Sequence, residues 1–213
     1  MFIGIVTFPK NPKLQNYIHW VKQAGATPVV IKTPDVDLTH IQGFVWVGGS
    51  LETIQPASMR TFLETLRKTF THAVAQNRAG ISFPIWGVCL GFQLLALVRS
   101  GSLSKARNAA TRKIHLRGRL ATAVRDLRPN SMVGLYNHKY GLRPPYPSYL
   151  TPTSEETDAQ GPFLTSFQFK KYPFYGTTWH PEHPPQQGKE FGRRLGEFFS
   201  NQIKKKRVSA ASR

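Results

Sequence analysis

The stretch Pro84 to Leu94, PIWGVCLGFQL, constrains the fold more than any other part of the chain. A short apolar run, Ile85 to Val88, meets a run of helical character at a cysteine flanked by Gly87 and Gly91. Glycines two positions to either side let neighbouring backbone pass close to a tight turn, the pattern of a strand-to-helix elbow. On such an elbow the side chain of Cys89 projects from the carboxyl edge of a sheet, where a helix begins. The unpaired N–H groups and positive dipole end of that helix favour thiolate over thiol, and can bring a cysteine pKa down to about 3.5–7.5. The elbow serves a buried, unreactive cysteine equally well, so on its own it leaves both readings open.

Around the elbow, strand and helix patterns alternate. Phe2 to Phe8 reads as a first strand, and Leu14, Tyr17, Ile18 and Val21 follow helical spacing up to Gly25, a helix end. Pro28 to Ile31 and Phe44 to Val47 are further strands, the latter halted by Gly48 and Gly49. A helix then carries Met59, Phe62, Leu63, Leu66, Phe70, Ala73 and Val74 on one stripe. This β-α-β order predicts a parallel sheet covered by helices on both faces, with ligands at the carboxyl ends of strands, where Gly48-Gly49 and Cys89 both fall. From about Arg112 to Tyr172 the pattern weakens into short strands and turns, including the proline-rich stretch Arg143 to Pro152. A last helix runs through Phe191, Leu195, Phe198 and Phe199. The expected organisation is one domain over residues 1–203, followed by a basic, disordered tail over 204–213.

A partner for Cys89 stands late in the chain, in Tyr175-Gly-Thr-Thr-Trp-His-Pro-Glu182. Phe174 to Trp179 is rich in aromatic and β-branched residues, and Pro181 disfavours helix at His180, so His180 and Glu182 sit two apart in extended chain with side chains on one side. A histidine beside a thiol can hold it ionised and later protonate a leaving amine. A carboxylate on the other ring nitrogen fixes the tautomer and stabilises the imidazolium. Singly, each residue also fits a solvated surface position; with the elbow they form a Cys-His-Glu set. His183 beside Glu182 lacks the helical spacing of zinc motifs, so neither a metal nor a cofactor is expected.

The pairing of GVCLGFQ with YPFYGTTWHPE resembles class I glutamine amidotransferase-like domains, most of all the gamma-glutamyl hydrolase family. YIHWVKQAGATPVVI (17 to 31), IQGFVWVGGS (41 to 50), NHKYGL (137 to 142) and EFFSNQIKK (197 to 205) resemble the same family in the same order. The resemblance implies a flavodoxin-like three-layer α/β sandwich with a mostly parallel central sheet. It also implies an oxyanion hole from the backbone amides of Gly49 and Leu90, and a substrate site that includes Gly48, Gln93 and His138. The glycine pair reads otherwise as a plain turn after a strand. Gln93 departs from the hydrolase pattern, which carries Glu there, and sides with glutamine-dependent amidotransferases. The segment HPPQQ after Glu182 shortens the rim of the family's pocket.

Charge adds a second constraint. With 29 Lys plus Arg against 11 Asp plus Glu the chain carries +18, with clusters between Lys105 and Arg128 and at Lys204 to Arg207. Such a surface attracts polyanions: a poly-γ-glutamyl substrate, or nucleic acid, which is less favoured because no zinc finger, helix-turn-helix or RNA-binding aromatic motif is present. The longest apolar stretch, Val88 to Val98, is too short for a bilayer, and MFIGIVTF lacks the basic lead of a secretory leader. A cytoplasmic location is expected, with KKKR a candidate nuclear address; a single cysteine excludes an internal disulfide. The function implied is hydrolysis of γ-linked glutamate from folate-type poly-γ-glutamates. The alternatives are a glutaminase component feeding a separate synthase, and a basic binding protein on a retired scaffold. Self-pairing into a homodimer is frequent in the family.

Overall fold

A computed structural model describes residues 1–49, 54–98 and 104–204. Five parallel strands form the sheet's first half: β1 (Phe2–Val6), β2 (Thr27–Ile31), β3 (Ile41–Trp46), β4 (Ile85–Val88) and β9 (Phe174–Thr177). Two antiparallel strands, β8 (Gly161–Phe169) and β7 (Leu150–Asp158), extend it beyond β9, giving the order β2-β1-β3-β4-β9-β8-β7. A separate antiparallel ribbon pairs β5 (Ser104–Lys113) with β6 (Val133–Gly141).

Strands buried on both faces read as unbroken apolar runs, which is why β1, β3 and β4 stood out in the sequence. Helix α2 (Pro56–Arg78) covers one face: Phe62 meets Phe8, and Phe70 meets Trp46 and Phe174. Helices α1 (Leu14–Gln23) and α5 (Lys189–Lys204) cover the other, where Trp20 and Phe199 enclose Trp86 and Phe198 meets Tyr175. The register agrees, because Phe44 pairs with Ile85 while Trp86 pairs with Val45, placing Phe44 and Trp86 on opposite faces. Trp46, Trp86 and Trp179 are all fully buried, and each large apolar side chain so buried contributes roughly 1.5–3 kcal/mol. The result is the flavodoxin-like three-layer sandwich.

The region from Arg112 to Tyr172 differs from expectation. In place of short strands, β5 has 10 residues and β6, β7 and β8 have 9 each. The polar residues of β5, β6 and β7 lie on ribbon and edge strands, which need no second apolar face, whereas β8, inside the sheet, is buried from Phe163 to Phe167. Pro152 falls inside β7, tolerated because β7 is the sheet's edge, and the pairing register shifts there. The basic residues from 205 onward, KKR of the candidate nuclear address among them, lie outside the described residues.

Candidate active site

Four fully buried residues of β4 deliver the chain to Cys89, which adopts φ 50° and ψ −102° and is followed at once by α3 (Leu90–Leu97). A side chain at positive φ stores backbone strain, and here the surroundings fix it. Cys89 N–H donates to the Thr177 carbonyl at 2.8 Å and Gly91 N–H to the Val47 carbonyl at 3.1 Å, so the elbow is tied to both neighbouring strands. Gly91 is required by contact: a Cβ there would run into the Trp46 carbonyl, and one on Gly87 would stand 2.5 Å from the Gly91 oxygen.

His180 follows β9 and is held from the ribbon. Its N–H donates to the Leu135 carbonyl at 3.0 Å, and the preceding Trp179 bridges to Tyr136. Nδ1 of His180 lies 2.7 Å from Oε1 of Glu182, with the two side chains 5% and 0% exposed. The other side of the ring meets Cys89. Both residues crowd Gly48, where an added Cβ would stand 3.0 Å from the Cys89 Cβ and 3.2 Å from the His180 Cε1. Burial pulls the His180 pKa down, but the charge of Glu182 and hydrogen bonding to Cys89 and Glu182 outweigh it and push the pKa up to about 10. The Cys89 Sγ also lies 3.5 Å from the Asn137 carbonyl of β6, so the ribbon roofs the cysteine, which is 4% exposed.

Around this trio the other expected site residues fall as follows. The amides of Gly49 and Leu90 make no hydrogen bond among the described residues. The Gly48 amide is occupied, donating to the Tyr17 hydroxyl at 2.7 Å. Gln93 is buried, and its Nε2 donates to the Tyr140 carbonyl at 2.8 Å, tying α3 to the ribbon. His138 sits on β6 opposite Asn108, with its side chain outside the described residues. Among the described residues no group of His, Cys, Asp or Glu side chains is arranged to hold a metal ion, and no helix is long and apolar enough to cross a membrane.

Tyr17 is the residue that sequence reasoning missed. It reads there as one apolar position on the stripe of α1, and nothing local marks its hydroxyl as different. In the fold it is fully buried. Burial first, and then the charge of Glu182, raise its pKa well above the ordinary value, so it stands as a neutral hydroxyl between the glycine loop and the carboxylate.

The family described as glutamine amidotransferase class-I matches residues 62–195, a span that includes Cys89, His180 and Glu182. The chain belongs to the class-I glutamine amidotransferase family. Among curated relatives, gamma-glutamyl hydrolase of Homo sapiens is 26% identical, the match covering 89% of this chain and 70% of that protein. Gamma-glutamyl hydrolase 1 of Arabidopsis thaliana is also 26% identical over 78% of this chain, but only 54% of the relative is matched, so the chain spans about half of its length. Among solved structures, a candidate GMP synthase component of Thermoplasma acidophilum superposes with a TM-score of 0.71 at 19% identity, covering 96% of this chain and 94% of that one. PurLQS of Thermotoga maritima gives 0.66 at 14% identity, covering 95% and 98%. These superpositions establish the amidotransferase fold.

Proposed function

We propose that this chain is a cysteine hydrolase that releases γ-linked glutamate from folate-type poly-γ-glutamates or related γ-glutamyl compounds. The observation that carries the reading is the meeting of Cys89 and His180 at Gly48, at the carboxyl ends of neighbouring strands, with Glu182 on Nδ1 of the imidazole. Support for the substrate class comes from relatives named gamma-glutamyl hydrolase that match most of the chain. His180, held as the imidazolium by Glu182, pairs with the Cys89 sulfur, which attacks the γ-carbonyl carbon. The oxyanion that forms is received by the amides of Gly49 and Leu90, where losing one donor typically costs about a hundredfold to a thousandfold in rate. His180 then protonates the departing amine as the C–N bond breaks, leaving a thioester. Water gives a proton to His180, attacks the thioester, and the sulfur leaves as thiolate while glutamate departs with a new carboxylate. Glu182 holds the imidazolium through Nδ1 in both halves. Gly48, Gln93 and His138 belong to the substrate pocket.

Cys89→Ala tests the assignment: the variant keeps the wild-type circular dichroism and melting behaviour, and glutamate release from a γ-linked oligomer falls by at least about a thousandfold. Retained turnover removes Cys89 from the mechanism. A second reading, a glutaminase component that hydrolyses free glutamine for a separate synthase, is favoured by Gln93, which the hydrolase resemblance does not account for. Parallel incubation with a γ-glutamyl oligomer and with free glutamine separates the two, since the hydrolase consumes only the first.

A further inference from the structure

A cleft of about 700 Å³ opens on the β5–β6 ribbon at the end where Lys113 pairs with Val133, and it plays no part in the chemistry above. Arg112, Lys113 and Arg128 line it with Thr111, Ser131 and Gln187, and none of its lining residues is acidic. Arg112 is drawn 3.4 Å from Glu156, but Lys113 and Arg128 have no ion pair among the described residues. Cations of one sign converging in a concavity repel one another and concentrate an anionic ligand. The volume is in the range of sites for extended ligands and far exceeds a single small ion.

Strand β6 links this cleft to the candidate active site. Strand β6 runs from Val133 in the cleft to Asn137, whose carbonyl lies 3.5 Å from the Cys89 Sγ. Four residues of strand cover roughly 13 Å. Along that strand Leu135 is half-buried and Asn137 is exposed. The opposite wall, Gln187, belongs to the turn Gln186–Gly188 that follows the His180–Glu182 segment, and Gly188 packs on the Val133 carbonyl. Each γ-glutamyl unit adds five bonds to the main chain, about 6 Å when extended, and leaves one free α-carboxylate. Two units beyond the bond being cut therefore bring a carboxylate from Cys89 to the cleft.

We infer that the cleft is a carboxylate subsite for glutamyl units remote from the scissile bond, and that it makes the enzyme select longer γ-glutamyl chains. The inference rests on the hydrolase reading for its substrate. Lys113 and Arg128 act only through binding of the remote carboxylates. The test compares di-γ-glutamate with tetra-γ-glutamate, using wild type, Lys113→Ala/Arg128→Ala, and a control, Lys22→Ala/Arg78→Ala, that removes the same charge from exposed positions elsewhere.

Wild type is expected to show kcat/KM roughly tenfold higher on the longer chain. The cleft variant should bring the two substrates near parity with dimer turnover unchanged, and the control should keep the preference. Preference that survives in the cleft variant, or is lost equally in the control, overturns the inference. Calorimetric titration of tetra-γ-glutamate into Cys89→Ala, with and without the cleft substitutions, reads the subsite independently of turnover. If wild type cleaves neither substrate but the cleft substitutions still weaken this binding, the subsite stands and the hydrolase reading falls. If a single-stranded oligonucleotide binds through Lys113 and Arg128 and tetra-γ-glutamate does not, the cleft is a nucleic-acid surface and the inference is overturned.

Discussion

The parallel half of the sheet and the antiparallel half beyond it, with the β5–β6 ribbon, solve different problems. In the parallel half, β3, β4 and β9 hold Cys89 by backbone contacts so close that side chains are excluded, as at Gly91, while the His180 N–H is taken by the ribbon. In the ribbon and edge strands, contacts are polar and partly exposed: Arg143 grips Asp158 at 2.6 Å, Gln93 reaches Tyr140, and the basic cleft stays open. Under the proposed function, the first half fixes the reacting atoms in place. The second roofs them and presents charge to whatever arrives. A site built this way puts its chemistry where the fold leaves no freedom and its selectivity where the sequence can vary without loss of the core.

Glycine substitutions break this contrast most directly. Gly91→Ala drives a Cβ into the Trp46 carbonyl, a backbone atom in a buried strand that cannot swing aside. The expected loss is about 3 kcal/mol or more, read by urea denaturation or as failure to accumulate folded protein. Gly161, in the β7–β8 hairpin, has φ 104°, but an added Cβ there would meet nothing within 4 Å. Gly161→Ala therefore carries only the conformational cost of positive φ, about 1–2 kcal/mol. Equal effects at the two positions would show that the halves are not differently constrained.

Glu182 tests the electrostatics of the rigid half. Glu182→Gln removes the charge that outweighs burial at His180, and kcat/KM should fall on the order of a hundredfold. The His180 imidazole, titrated by NMR, should move from about 10 back towards its ordinary value. The sign follows from linkage. A histidine whose folded pKa is raised contributes stability that is fully present below about 6.5, its unfolded pKa, and is lost as pH rises through about 10. Wild type should therefore lose stability between these limits relative to His180→Asn, and a parallel pH dependence in the two proteins removes the proposed imidazolium.

The same division explains what could be read from sequence. Parallel strands buried on both faces must be apolar throughout, so β1, β3 and β4 announce themselves, and Cys89 with its flanking glycines follows from steric need at one turn. His180 and Glu182 were legible as a pair of residue types, but not in their conformation: in place of the expected extended chain, Pro181 and Glu182 form a turn in which the His183 N–H donates to the His180 carbonyl at 3.2 Å. β5 and β7, SKARNAATRK and LTPTSEETD, carry no such signature. Their pairing is set by partners far along the chain, and the one-sided burial of a ribbon leaves alternation too weak to mark a boundary. The cleft was invisible for the same reason: Lys113 and Arg128 appear as members of a basic run, and only the return of β6 and the turn at Gln187 makes them face one space. Tyr17 is the converse case, an apolar-looking position whose single oxygen matters because of where β3 ends.

That oxygen sets the smallest effect. Tyr17→Phe keeps the ring and its packing in α1 but removes the acceptor of the Gly48 N–H, leaving a buried donor unpaired. The expected cost is about 1–3 kcal/mol of stability. If Tyr17 merely fills space, activity at saturating substrate should follow the folded fraction and nothing more. If it positions the glycine loop against Glu182, kcat should fall roughly tenfold in fully folded protein while KM changes little, because the misplaced Gly49 amide matters to the oxyanion more than to the bound substrate. A kcat unchanged under conditions where the variant is fully folded would confine Tyr17 to the core of the rigid half.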